Sequence, residues 1–166
     1  MNKTKLCNFL LTINLLLFGS NVMSQTAEIA QTPQEANMAL IGSFAENIFA
    51  KKDLSGLEQY MHEDYIQHNP LVGQGSEGFK TFFQNWFDTV PDFTYELKNI
   101  IANDEYVWVY GAYIGTHKGD WLGIPATDKA YNFNAVDIFR ISDGKLAEHW
   151  DVLDVYSLFQ QLGTIQ

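Results

Sequence analysis

Ala130-Tyr-Asn-Phe-Asn-Ala-Val-Asp-Ile-Phe-Arg-Ile-Ser-Asp-Gly-Lys-Leu-Ala-Glu-His-Trp-Asp-Val-Leu153 is the stretch on which the fold turns. Side-chain character alternates on both sides of Asp143-Gly144, the period of a pleated strand. Two strands are expected, over 130–141 and 146–153, joined by Ser142-Asp143-Gly144. A type I turn followed by a left-handed glycine makes a three-residue loop, which would pair Ile141 with Lys145. Counting outward places Asp137 opposite His149 and Ala135 opposite Asp151. A period of two then collects Ala135, Asp137, Phe139, Ala147, His149 and Asp151 on one face. Two carboxylates and an imidazole lie there among alanine and phenylalanine. Apolar surroundings and a neighbouring carboxylate both raise a carboxyl pKa, as a general acid/base near neutral pH requires. Asp137, His149 and Asp151 are therefore the candidate catalytic residues. The alternative is an exposed sheet face with no chemistry. A two-residue turn would instead place Trp150 opposite Asp137.

Upstream, the period of two continues. Residues 106–117 form a long aromatic strand, and Phe93, Tyr95, Leu97, Asn99 and Ile101 alternate with polar residues before it. Residues 118–129, with Gly119, Gly123 and Pro125, read as a loop. Helices come earlier. Thr32-Pro33-Gln34-Glu35 is a capping box, followed by Leu40, Ile41, Phe44, Ile48 and Phe49 at helical spacing. Asp53 is expected to cap a short helix carrying Leu54, Leu57 and Met61, with His62 at its C-terminus. Tyr65 to Pro70 reads as extended, since proline disfavours α geometry before it. Ser76 is expected to cap an amphipathic helix with Phe79, Phe82, Phe83, Trp86, Phe87 and Val90, a stripe read as core rather than as a ligand wall. A short helix over 155–162 ends the chain. Helices followed by a run of strands make an α+β domain, a curved antiparallel sheet with N-terminal helices across its concave face.

Composition narrows the function. The 166 residues are 46% apolar and 14% aromatic, enough for one domain with a packed core. Twenty acidic residues against ten basic ones would repel a phosphate backbone, so nucleic acid is not an expected partner. Residues 1–24 read as a secretory signal. Lys3 and Lys5 precede an apolar run from Leu6 to Phe18, and Val22 and Ser24 stand at −3 and −1 of a cut before Gln25. An uncleaved anchor is the alternative. Residues 25–166 would then be a single periplasmic or secreted domain with no membrane contact. Cys7 is the only cysteine, so that domain would have no thiolate nucleophile, disulfide or cysteine-held zinc. His62, His68, His117 and His149 match no strong ligand spacing, and no metal is expected. His68 and Asn69, ahead of Pro70, and His117 and Trp121, beside and within the glycine-bearing loop, are the candidate substrate contacts. His68 and His117 also read as a hydrogen-bonded loop histidine and a solvated one. Serine-nucleophile motifs, phosphate-binding glycine loops and HExxH are absent from the sequence.

Several stretches taken together resemble a family. They are His68-Asn69-Pro70, Gly75 with Glu77-Gly78-Phe79, Val90-Pro91-Asp92-Phe93 and the long Gly115 to Thr127 segment. Val136 to Arg140, Asp143-Gly144-Lys145, Glu148 to Asp151 and Gln161-Leu162-Gly163 complete the series, spanning 33–163. The chain resembles SnoaL-like polyketide cyclases of the NTF2-like superfamily. The resemblance implies a cone-shaped α+β domain with a deep apolar pocket. It also implies an intramolecular aldol condensation that needs no metal or organic cofactor, and it favours a homodimer through the sheet. A late-strand aspartate would act as acid/base, which maps onto Asp151 or Asp154. The substrate class is a small, apolar carbonyl compound. A non-catalytic ligand-binding module, and a hydrolase or isomerase using the same carboxylates, are the other readings.

Overall fold

The computed structural model describes residues 31–165; the expected signal segment and the cut before Gln25 lie outside them. Helix α1 (Pro33–Phe44) starts at the expected capping box. Thr32 Oγ1 accepts the Glu35 N–H, and the Glu35 carboxylate accepts the Thr32 N–H at 2.8 Å. A π-helical turn, Ala45–Ala50, continues it. Asp53 accepts the Ser55 N–H, but only a single 3-10 turn, Leu57–Gln59, follows. Met61 opens strand β1 (Met61–Gln67) instead of closing a helix. His62 is therefore on a strand, with Nε2 2.9 Å from the Ser142 carbonyl. Helix α2 (Gly75–Thr89) carries the aromatic stripe, but its N-cap is Gln74 rather than Ser76. Four further elements are β2 (Thr94–Ala102), β3 (Tyr106–Thr116), β4 (Ala130–Ser142) and β5 (Lys145–Leu153). Helix α3 (Val155–Leu162) closes the described chain.

The strands form one curved sheet in the order β1-β5-β4-β3-β2. The expected sheet was antiparallel throughout; it is mixed, because β1 runs parallel to β5. That pairing joins residues more than eighty positions apart, so no local turn signals it. The β4–β5 hairpin also differs from expectation. Asp143 (φ 49°) and Gly144 (φ 70°) are both left-handed, and Ser142 pairs with Lys145. This is the two-residue type I′ turn that Asp-Gly favours. A bulge then leaves Ala147 without a partner, between the pairs Ile141–Leu146 and Arg140–Glu148. Asp137 consequently lies opposite Asp151, and Phe139 opposite His149. Turn and bulge together displace the expected register by two residues. A two-residue displacement preserves the face each side chain points to.

A second bulge, at Lys98, reverses the facing of β2 midway. Ile100 and Ala102 turn toward the core, while Leu97 and Ile101 are exposed. The core lies between the helices and the inner sheet face. Phe44 of α1 packs against Phe79 of α2 and Phe139 of β4, and Phe49 meets Phe83 edge-on at 4.9 Å. Burying a side chain of this kind contributes about 1.5–3 kcal/mol. At the loop between β1 and α2 the backbones of Gly73 and Gly78 touch; a Cβ on Gly78 would lie 2.1 Å from the Gly73 carbonyl carbon. That close approach folds the 68–74 loop down onto the first turn of α2.

Candidate active site

Parity on the three strands β1, β5 and β4 builds the polar cluster. Gln67 pairs with His149 across the parallel ladder, and Asp151 with Asp137 across the antiparallel one. All four side chains reach the inner face, where Gln67, Asp137 and His149 are buried. His149 Nδ1 is 3.1 Å from Gln67 Oε1, and its Nε2 is 3.2 Å from Asp137 Oδ1. The Asn69 N–H donates to the same Gln67 oxygen at 2.9 Å, which fixes the orientation of that amide. An amide oxygen only accepts, so the Nδ1 of His149 carries a proton. The Nε2 contact with Asp137 occupies the other ring nitrogen. Both Asp137 oxygens also accept the Tyr113 hydroxyl, at 3.0 Å each. Burial and the Asp137 charge push the Tyr113 hydroxyl well above its usual range, so it stays protonated and donates.

Asp151 differs from its two neighbours. It accepts a single side-chain hydrogen bond, from Asn69 Nδ2 at 2.7 Å. The Leu71 N–H holds the other end of the Asn69 amide at 2.9 Å. Burial pushes the Asp151 carboxyl above the ordinary carboxylate range; the Asn69 bond and His149 oppose this, and Asp137 adds to it. Asp151 is thus the one member of the cluster with acceptor capacity left over.

The cluster opens into a cavity of about 60 Å³, lined by Gln67, Asn69, Asp137, His149 and Asp151 together with aromatic and aliphatic side chains. A void holding one water needs roughly 10–15 Å³, so there is room for a small molecule. The aromatic stripe of α2 divides here. Phe79 and Phe87 are core only, whereas Phe82, Phe83 and Trp86 also form cavity wall. Ligand atoms of Asp137, His149 and Asp151 lie within 4.8 Å of one another, the spacing of a metal site. Their hydrogen bonding argues against that use. Both Asp137 oxygens and both His149 nitrogens are engaged, leaving Asp151 as the residue of the three with an oxygen that has no hydrogen-bond partner.

The other sequence candidates are dispersed. Asn69 and Trp121 line the cavity; His68 and His117 do not. His68 is exposed on the outer side of the sheet, stacked on Trp150 at 4.3 Å and 3.0 Å from Glu148. His117 is fully buried at the base of the 118–129 loop, with Nδ1 3.1 Å from Thr127 Oγ1. Burial lowers its pKa, so it is neutral. Asp154, the alternative acid/base, is exposed and caps α3 by accepting the Ser157 N–H at 3.0 Å. Sequence reasoning missed Gln67 and Tyr113, which hold His149 and Asp137. Extending the period of two from Tyr65 would have placed Gln67 on the inner face.

Comparison with known proteins bears on the whole domain. A family model of SnoaL-like polyketide cyclases matches residues 39–162. The chain belongs to this family. Nogalonic acid methyl ester cyclase of Streptomyces nogalater is 30% identical to the SnoaL-like chain over 111 residues, covering 64% of this chain and 83% of that protein. Aklanonic acid methyl ester cyclase DauD of Streptomyces sp. (strain C5) is 29% identical over 109 residues, covering 64% and 66%. TsrD from Streptomyces laurentii superposes with a TM-score of 0.73 at 30% identity, over 78% of this chain and 96% of that one. The fold is the NTF2-like α+β fold of the SnoaL-like proteins, with three helices on a curved, mixed, five-stranded sheet.

Proposed function

We propose that the cavity binds a small, apolar carbonyl compound and that Asp151 removes a proton from the carbon beside the carbonyl. One observation carries this reading: of the two aspartates at the aromatic-walled cavity, only Asp151 keeps a carboxylate oxygen without a hydrogen-bond partner, while Asp137 and His149 are tied to each other. The carboxylate takes the proton, and the C–H electron pair becomes an enolate. In a substrate with a second carbonyl, the enolate carbon attacks that carbonyl carbon and closes a ring. The new alkoxide recovers the proton from Asp151, which regenerates the base. The cycle needs no metal or organic cofactor. It is the intramolecular aldol condensation of an ester cyclase, and the two cyclase relatives support that assignment. Gln67, Tyr113 and the Asp137–His149 pair are positioning residues: their mutual hydrogen bonds fix the inner cluster beside Asp151.

The test is deuterium exchange at the α-carbon, over a panel of 1,3-dicarbonyl compounds and polyketide-like esters. The expected result is enzyme-dependent exchange with at least one of them. Tight binding without exchange across the panel would make the domain a ligand-binding module. Two further readings belong to this proposal. The mature chain starts near Gln25 and works outside the cytoplasm; N-terminal sequencing after export by the native host checks this, and a start at Met1 overturns it. The second is a homodimer formed through the outer sheet face, taken up in the Discussion.

A further inference from the structure

An enolate oxygen needs a hydrogen-bond donor, and almost every side-chain donor atom in the cavity wall has a partner, although the Asn69 and Gln67 amides each keep a second N–H. Tyr113 donates to Asp137, both nitrogens of His149 face acceptors, and Asn69 Nδ2 donates to Asp151. Gln67 Nε2 faces the Tyr65 hydroxyl at 3.4 Å. The Trp86 indole donates to the Tyr131 hydroxyl at 2.9 Å. Trp121 Nε1 is the one donor atom among these without any partner. The residue lines the cavity and is only 3% exposed. Two other buried polar atoms among the described residues, Tyr95 Oη and His117 Nε2, also lack partners, but neither residue lines the cavity. A buried unpaired donor costs about 1–3 kcal/mol and is uncommon in folded proteins.

The chain also holds this indole in place by a strained device. Trp121 and Ile124 exchange backbone hydrogen bonds at 3.0 and 2.9 Å around a two-residue turn. That turn puts Leu122, a non-glycine residue, in the left-handed region at φ 52°, which is uncommon for a side chain of this size. The ring packs 4.7 Å from Trp86 and lies nearly parallel to Tyr131.

We infer that the Trp121 indole N–H is the donor to the substrate's carbonyl oxygen, and that it strengthens as that oxygen gains enolate charge. Trp121 is then a catalytic residue beside Asp151, one supplying the hydrogen bond and the other taking the proton. This rests on the carbonyl-site reading above. A neutral, buried N–H suits the task, because it stabilises developing charge without exchanging a proton itself. It also selects for ligands with an acceptor oxygen, since a hydrocarbon of the same shape leaves the N–H unpaired.

Trp121→Phe keeps an aromatic ring and removes the donor. The probes are 2-indanone and indane, which differ by the carbonyl. The wild-type protein is expected to bind 2-indanone about tenfold more tightly than indane, the order of one hydrogen bond. Trp121→Phe should erase that preference and leave indane affinity within twofold. At saturating 2-indanone, α-deuterium exchange should fall by about 10²-fold, the usual loss for one oxyanion donor. The Trp121 indole N–H resonance should move downfield with 2-indanone and stay in place with indane. The free variant should be as stable as the wild type or more so, because an unpaired buried donor is gone. Equal weakening for both probes would make Trp121 mere wall and overturn the inference. So would unchanged exchange, or a destabilised free variant, which would mean that the N–H already serves a partner such as the nearby His117. Each of those outcomes leaves the carbonyl-site reading standing. Failure of both probes to bind the wild type would overturn that reading and this inference with it.

Discussion

Strand β5 presents two histidine–carboxylate pairs, one on each face of the sheet, and they differ in little but their surroundings. Inside, His149 and Asp137 approach to 3.2 Å with side chains 9% and 7% exposed. Outside, His68 and Glu148 approach to 3.0 Å with side chains 38% and 18% exposed. Glu148 also takes a 2.7 Å bond from Arg140, and its pKa is lowered, chiefly by the His68 hydrogen bond. Water and salt screen the outer pair, so its charges interact weakly. The inner pair has no such screening, and each atom of it has an assigned partner. Contact geometry is thus a poor guide to what a polar pair does. Exclusion of water decides whether it merely decorates a surface or sets the chemistry of a site.

The largest expected effect separates the two faces by rate. Asp151→Asn keeps the shape and the Asn69 contact but removes the base. Turnover should fall by ~10²–10⁴-fold, the range for losing a general base. Glu148→Gln, three positions away on the opposite face, should stay within twofold of wild type. A comparable loss in both variants would show that neither face is special. Asp154→Asn, altering a helix cap outside the cavity, should also leave exchange intact. If exchange fails there and survives in Asp151→Asn, the base is Asp154.

Stability should separate the faces next. Asp137→Ala leaves the Tyr113 hydroxyl and the His149 Nε2 without their partner in a dry interior, which should cost roughly 3–5 kcal/mol in urea denaturation. Glu148→Ala removes a screened partner and should cost about 0–1 kcal/mol. Equal costs would mean that water reaches the inner pair.

The inner face was legible in the sequence, and its register was not. Alternation along 130–153 was enough to place Asp137, His149 and Asp151 together. The turn and the Ala147 bulge each displaced the register, but their sum preserved parity. No residue type encodes that bulge; it follows from fitting β5 between β4 and the parallel strand β1. Strand β1 itself, Met-His-Glu-Asp-Tyr-Ile-Gln, shows no clean alternation, so Gln67 went unnoticed. The Lys98 bulge likewise breaks the alternation read along Phe93 to Ile101. The Thr32–Glu35 capping box was read correctly because both partners lie within four residues of each other, whereas the caps expected at Ser76 and Asp53 had no such reciprocal partner and were misplaced. The Asn69 contact with Asp151 spans 82 positions, and nothing local in the sequence points to it.

The Asp151 environment makes a third expected outcome, with a definite sign. Folding raises the Asp151 pKa, so the folded protein holds that proton more readily than the unfolded chain does. The ionised carboxylate therefore costs stability near neutral pH. Asp151→Asn should be more stable than wild type at pH 7. The gap should close as pH falls through the folded pKa, and vanish below the unfolded value near 3.8. Turnover needs the ionised form, so its acid limb should have a midpoint above 3.8. A midpoint at or below that value, or a variant less stable at pH 7, would contradict burial as the dominant influence on Asp151.

The smallest expected effect on chemistry lies on the outer face, where the prediction concerns assembly. Ile101, Trp108, Ile138 and Trp150 are successive cross-strand partners on β2, β3, β4 and β5. They make one apolar row across four strands, and the His68 ring stacked on Trp150 extends it toward β1. Ile101 and Trp108 are 61% and 47% exposed, and Val152 beside the row is 67% exposed. Four strands at about 4.8 Å spacing make the row roughly 15 Å wide. A contiguous apolar patch of this kind is unusual on a monomer's surface. A second copy suits it, since a two-fold interface sets the same patch against itself and apolar rows need no charge complement. The acidic composition argues against a nucleic-acid occupant, and the charged Lys98, Arg140 and Glu148 on the same face suit a polar rim. Wild-type protein should therefore sediment as a dimer at micromolar concentration. Trp108→Glu should sediment as a monomer, while α-proton exchange stays within twofold, because the cavity opens on the other face. A wild-type monomer would overturn the interface. A monomeric Trp108→Glu that has also lost exchange would show instead that the two faces are coupled, with the inner site depending on the assembly of the outer one.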